Sequence, residues 1–149
     1  MQGKCVIVGI GNTLRGDDGF GPALIERLRG KVNATCIDAG SAPENYAGRI
    51  VKEDPDTVLL VDVVHMGLEP GQYRILQTEH ILECGMSTHD ASCRLLIEFI
   101  ENQTKANILM LGIQPQSTSL GEAMSGRLLE ALDEIENLIQ GEGLCSMPI

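Results

Sequence analysis

The chain has 149 residues, 43% of them hydrophobic and 21% charged, which suits one compact domain with a single core. Acidic residues outnumber basic ones by 21 to 11, and the net charge of −10 argues against nucleic acid as a partner. No apolar run approaches the roughly 20 residues of a membrane span, and Met1–Gly16 lacks the features of a signal peptide. We therefore expect a cytoplasmic protein without membrane insertion, with one domain over residues 1–140 and a flexible tail over 141–149.

The first half of the chain alternates short apolar runs with helical patterns. Lys4–Val8 predicts a strand, and the glycine-rich loop after it leads into a helix over Phe20–Leu28. Ala34–Ile37 predicts the second strand, and Pro43 then opens a short helix. Thr57–Val64 is β-branched and apolar almost throughout, which is typical of a strand that is covered on both faces. This strand is expected at the centre of the sheet.

The second half continues the alternation. Too few residues precede Gln72–Leu76 for a parallel crossover, so this strand is expected to run antiparallel at an edge. A helix follows over Ala91–Ile100, then a strand over Asn107–Ile113 and a helix over Leu128–Ile139. On the first of these helices we expect one apolar face formed by Leu95, Leu96, Phe99 and Ile100. The pattern predicts an α/β fold, a three-layer α/β/α single domain whose five-stranded sheet is mostly parallel with one antiparallel edge strand. Ligands should gather at the carboxyl ends of its strands.

The five cysteines are odd in number and contain no C-x-x-C pair, so they do not indicate a disulfide framework. Cys5 and Cys36 lie in apolar runs and are expected to act as small buried hydrophobes. Cys84, His89 and Cys93 lie within ten residues of one another, a spacing that zinc could use. A fourth ligand is not evident, and we expect Cys93 to pack with the apolar face of its helix instead.

The loop Gly9–Gly19 follows the first strand, where a dinucleotide-binding fold carries its phosphate-binding turn. A G-x-G-x-x-G match from Gly9 would need glycine at the position of Leu14, and no Gly-Lys-Ser/Thr motif is present. The adjacent Asp17 and Asp18 would also repel a phosphate held in this loop. We therefore expect no nucleotide cofactor.

Carboxylates at the mouth of an α/β sheet suit a metal ion better than a phosphate. Asp62 near the end of the central strand and His89 just before a helix should reach the same edge as Asp18. Together they would make an oxygen, oxygen, nitrogen ligand set with a position left open, and imidazole suits nickel or zinc. Each residue also has a purely structural interpretation, because Asp17 or Asp18 can cap a helix and Asp62 can accept from loop amides. Both interpretations remain open at this point.

Five segments resemble the hydrogenase maturation endopeptidases, and together they span nearly the whole chain. They are GIGNTLRGDDGFGP (Gly9–Pro22), IDAGSAPEN (Ile37–Asn45), LLVDVVHMGLEPGQYRI (Leu59–Ile75), STHD (Ser87–Asp90) and LGIQP (Leu111–Pro115). The order of APEN, MGLEPG and GIQP resembles the branch that acts on formate-hydrogenlyase-type and related [NiFe] hydrogenases.

The resemblance implies a protease that removes the C-terminal extension of a [NiFe] hydrogenase large-subunit precursor once nickel is bound. It implies that Asp18, Asp62 and His89 contact the nickel of the substrate's active centre, which they bind transiently. Asp38 matches a segment that contacts substrate, and Glu44 and Asn45 are weaker candidates for the same role.

The chain lacks the G-x-S-x-G and H-E-x-x-H motifs and shows no Cys-His dyad, so ordinary serine, zinc and cysteine protease chemistry is not indicated. The hypothesis is that Asp18, Asp62 and His89 hold the nickel beside the scissile bond, and that the metal or a carboxylate activates water. The identity of the base stays open. The alternative is a non-catalytic nickel-sensing adaptor that inspects the precursor, which the same ligand set would serve. The oligomeric state cannot be predicted from the sequence.

Overall fold

A computed structural model describes residues 3–84 and 90–141, with the backbone alone for residues 82–84 and 90. The strands are β1 Cys5–Ile10, β2 Thr35–Gly40, β3 Thr57–Val63, β4 Tyr73–Gln77 and β5 Asn107–Ile113. The helices are α1 Phe20–Leu28, α2 Ala47–Lys52, α3 Thr78–Cys84, α4 Asp90–Gln103 and α5 Gly126–Gly141. Single 3₁₀ turns at Gly16–Gly19 and Pro43–Tyr46 lead into α1 and α2.

The five strands form one sheet in the order β2-β1-β3-β5-β4. All neighbours pair in parallel except β4, which is antiparallel to β5 at the edge of the sheet. β3 lies in the middle and is buried along its whole length, as its apolar sequence predicts. The predicted positions of the central strand and of the antiparallel edge strand are therefore confirmed.

Helices cover both faces of the sheet, and strand alternation divides the core between them. Leu59 and Val61 of β3 pack on the side of α1 and α5, in one hydrophobic cluster. Val58 and Leu60 point to the opposite side, where α2 and α4 pack in a second cluster. This arrangement confirms the three-layer α/β/α fold.

The expected buried face of α4 is wrong in part. Its buried side chains are Cys93, Leu96, Ile97 and Ile100, a spacing of three, four and seven residues from Cys93. Leu95 and Phe99 are 55% and 42% exposed, so they lie on the flank of the buried stripe. The apolar residues of this helix occupy more than one stripe, and the sequence pattern does not show which stripe meets the sheet.

The remaining helices are α3, which the sequence did not predict, and α5, which ends the described chain. α3 follows β4 directly, and the Thr78 hydroxyl donates to the carbonyl of Ile108 at 3.2 Å. α5 ends at Gly141, and the predicted tail lies otherwise outside the described residues. Across the described ranges, no helix combines the length and apolar character needed to span a membrane.

Candidate active site

Glycines let the loop after β1 and the start of α1 lie directly on the sheet. A side chain on Gly21 would collide with the backbone of Ile10 and with the carbonyl oxygen of Val61, at 2.5 to 2.7 Å. Gly11 has a φ of 149°, and a Cβ there would overlap the carbonyl oxygen of Asp18. The glycine loop and the start of α1 are thus held against the carboxyl ends of β1 and β3 by backbone contact.

The surroundings of Asp17 indicate a structural role. Its side chain is fully buried, and Oδ2 accepts from the backbone N–H groups of Gln116 and Ser117 at 2.7 and 3.1 Å. Ser125 donates to Oδ1 through its N–H at 2.7 Å and to Oδ2 through its hydroxyl at 3.0 Å. A carboxylate surrounded by four donors has its hydrogen-bonding capacity used within the protein. Asp17 therefore fastens the segment 116–125 to the glycine loop.

Asp18, the next residue, is also buried, and it accepts a bond from within the glycine loop. It is 2% exposed, and its Oδ2 accepts from the backbone N–H of Asn12 at 2.8 Å. The 3₁₀ turn that carries Asp18 contacts β3. Asp18 thus stands at the carboxyl edge of the sheet beside the strand that bears Asp62, as the sequence predicts.

Asp62 is the next-to-last residue of β3 and has no solvent exposure. Its Oδ1 accepts from the N–H of Val63 at 2.9 Å, and the Cys93 thiol donates to Oδ2 across 3.9 Å. Since Asp62 shares a strand face with Leu60, it points toward α4. Sequence reasoning missed the contact with Cys93, because it treated this cysteine as core packing or as a zinc ligand.

Asp38 is exposed and lies near the end of β2, where its Oδ1 accepts from the N–H of Gly40 at 3.1 Å. It pairs in register with Gly9, which faces α1. Strand alternation therefore places Asp38 on the α1 side of the sheet and Asp62 on the α4 side.

The two weaker candidates differ in burial. Glu44 is half-buried, and its Oε2 accepts from the Ser92 hydroxyl at 3.0 Å. Its Oε1 is shielded from solvent and has no hydrogen-bond partner in the described part of the chain. Asn45 is exposed.

His89 lies outside the described residues, as does the side chain of Cys84, so neither the predicted ligand set nor the alternative zinc set can be assembled here. Among the residues that are described, no three His, Cys, Asp or Glu side chains converge as a metal site. Asp18 and Asp62 are the members of the predicted set whose positions are defined.

Cys5 and Cys36 lie away from this edge. Burial raises the pKa of the Cys5 thiol to about 11, and burial likewise raises the pKa of the half-buried Cys36. Both cysteines contribute to the α1 side of the core, although Cys36 is only partly buried.

The family model described as hydrogenase maturation protease matches residues 22–142. The chain belongs to the hydrogenase maturation protease family. The resemblance predicted from the sequence motifs is confirmed, and so is the assignment as an endopeptidase.

Relatives of this maturation protease agree with it over nearly full length. The Hydrogenase 3 maturation protease of Escherichia coli K12 is 34% identical over 139 residues, covering 91% of this chain and 88% of the relative. The crystal structure of the [NiFe] hydrogenase maturation protease HycI from Thermococcus kodakarensis KOD1 superposes with a TM-score of 0.85 and 36% identity, covering 94% of this chain and 92% of that one. The solution structure of the endopeptidase HycI from Escherichia coli gives a TM-score of 0.82 and 32% identity, covering 93% and 90%.

Proposed function

We propose that this maturation protease cleaves the C-terminal extension from the large-subunit precursor of a [NiFe] hydrogenase after nickel has been inserted. The observation that carries the proposal is the pair of buried carboxylates, Asp18 after β1 and Asp62 on β3, at one edge of the sheet. The names of two relatives support the choice of substrate, since one refers to maturation of a hydrogenase and the other to maturation of a [NiFe] hydrogenase.

In the proposed mechanism, Asp18, Asp62 and His89 contact the nickel that the substrate carries. Carboxylate oxygens and an imidazole nitrogen suit a borderline cation such as nickel. Transient contact with a fixed metal would hold the adjacent scissile peptide bond in one place, which lowers the entropic part of the barrier. Water would then be activated by the metal or by a carboxylate, with the metal polarising the carbonyl.

Asp38 is proposed to contact the peptide and not the nickel. Its carboxylate is exposed and belongs to the α1 side of the sheet, whereas Asp62 belongs to the α4 side. An exposed carboxylate can accept hydrogen bonds from backbone amides or from a basic side chain of an incoming segment.

The experiment is intact mass spectrometry of a nickel-loaded large-subunit precursor after incubation with the protease, beside a nickel-free precursor. A single C-terminal loss that depends on nickel is expected with the wild-type protein. Asp62→Asn should abolish the loss, and Glu130→Gln, which changes an exposed carboxylate on α5, should not. A urea unfolding curve for each variant checks that it is folded.

Three other results would contradict parts of the proposed function. Full cleavage by a folded Asp62→Asn variant would refute the role of Asp62. Equal cleavage of the nickel-free precursor would refute metal recognition. Stable binding of the nickel-loaded precursor without any mass loss would favour the non-catalytic adaptor.

A further inference from the structure

We infer that two exposed leucines, Leu14 in the glycine loop and Leu120 in the loop bonded to it, form a docking surface for an apolar face of the folded substrate protein. We call them the leucine pair. This inference rests on the proposed function and extends it, because it names the surface that receives the precursor outside the scissile segment.

The leucine pair contains the two most exposed large apolar side chains in the described part of the chain. Leu14 is 66% exposed and Leu120 is 67% exposed. The N–H of Gly121, next to Leu120, donates to the carbonyl of Leu14 at 2.8 Å, so the two loops that carry them are joined. Large apolar side chains that are exposed together commonly mark a binding site for another protein.

The loops beneath the leucine pair are held in place before any partner arrives. The N–H of Gly16 donates to the carbonyl of Glu122 at 3.1 Å, and that of Asp17 donates to the carbonyl of Ser117 at 3.0 Å. The buried Asp17 carboxylate adds its own four bonds to the segment that contains Leu120. A surface that is fixed in advance loses little conformational entropy on binding, which suits a docking site.

The leucine pair lies near Asp18, and this position points to the substrate protein as the partner. Leu14 and Asp18 belong to the same loop, between β1 and α1. The loop is closed on itself, because the N–H of Asp18 donates to the carbonyl of Arg15 at 3.1 Å. In the proposed function the precursor is brought to Asp18, so a folded substrate bound there would lie close to Leu14, which belongs to the same loop. Apolar side chains at that place would contact an apolar patch on the substrate and exclude water around the site.

The test is the double variant Leu14→Ser/Leu120→Ser, assayed for cleavage of the nickel-loaded precursor. We expect KM to rise about 30-fold, since well-placed interface side chains each account for roughly a factor of ten or less in affinity. The value of kcat should stay within about twofold, because Asp18 and Asp62 are untouched. Phe99→Ser is the matched control, since Phe99 is an exposed apolar residue in the second half of α4.

An unchanged KM in the double variant, or an equal rise in the Phe99→Ser control, would overturn the inference. Calorimetric binding to the precursor separates this inference from the proposed function. If the wild-type protein binds but does not cleave, the proposed function fails, and weaker binding by the double variant still supports the leucine pair. Equal binding by both proteins, or no binding by the wild type, would overturn it.

Discussion

The two adjacent aspartates of the glycine loop should separate stability from activity. Asp17→Asn keeps the shape of the side chain but turns one acceptor into an NH₂ donor. If the amide oxygen takes the place of Oδ2, the NH₂ group faces the backbone N–H of Ser125, which now donates at 2.7 Å. That N–H would lose a charged acceptor in a buried site and oppose another donor.

The magnitude follows from the bonds that are lost. A hydrogen bond to a charged group contributes about 1.5–3 kcal/mol, and a buried unsatisfied donor costs about as much again at the upper end. We expect Asp17→Asn to lower the free energy of unfolding by about 2–4 kcal/mol. With a urea m-value of about 2 kcal/mol/M, the midpoint Cm should fall by about 1–2 M. Asp18→Asn can keep its bond from the Asn12 N–H, so its Cm should fall by less than that of Asp17→Asn.

Activity should show the reverse order. At a temperature where both variants are folded, Asp17→Asn should retain cleavage of the precursor within about tenfold, whereas Asp18→Asn should lose it by more than about a hundredfold. Urea unfolding followed by circular dichroism gives the first comparison, and mass spectrometry of the precursor gives the second. An Asp17→Asn variant with wild-type Cm and no activity would refute the division of roles between the two residues.

Three other substitutions test separate parts of the structure. Gly21→Ala should lower the free energy of unfolding by more than about 3 kcal/mol, because the added Cβ would meet backbone atoms. Gly48→Ala in α2 has open space around it and should be neutral or stabilising. Equal unfolding midpoints for the two variants would refute the close packing at Gly21. Cys93→Ala should lower kcat about tenfold with a small effect on KM, since Asp62 loses a donor that orients it, and kcat within twofold of wild type would count against this role. Asp38→Asn should raise KM about tenfold while cleavage still depends on nickel, as measured with loaded and nickel-free precursor; loss of the nickel dependence would place Asp38 at the metal instead.

Much of the fold could be predicted because local rules leave few choices. The loop between β3 and β4 is too short for a parallel crossover, so the length of this loop predicted the antiparallel direction of β4. The almost entirely apolar sequence of β3 predicted a strand that is covered on both faces. The buried stripe of α4 could not be predicted, because Leu95 and Phe99 continue the helical spacing of Leu96 and Ile100, and only tertiary packing selects between the stripes.

For Asp18 and Asp62, the members of the candidate site that are described, the position was predictable but the contacts were not. That Asp18 and Asp62 reach one edge follows from parallel strands with helices between them. That Asp17 is a structural residue depends on donors from residues 116, 117 and 125, about a hundred residues away in sequence. The thiol of Cys93 reaches Asp62 only because α4 packs on that face of β3. No local pattern contains these long-range contacts.

The irregular pairing of β1 with β2 suggests how the carboxyl ends of the strands could contact both a metal and a peptide. Gly9 pairs with Asp38 and Ile10 pairs with Gly40, so the register shifts by one residue at the carboxyl end. Gly9 faces α1, and Asp38 therefore emerges on that side, while Asp62 emerges on the side of α4. A cation bound to Asp62 would be separated from Asp38 by the edge of the sheet itself. Under the proposed function, a substrate segment that crosses this edge would present its metal to Asp62 and its backbone to Asp38, and each carboxylate would have a distinct target.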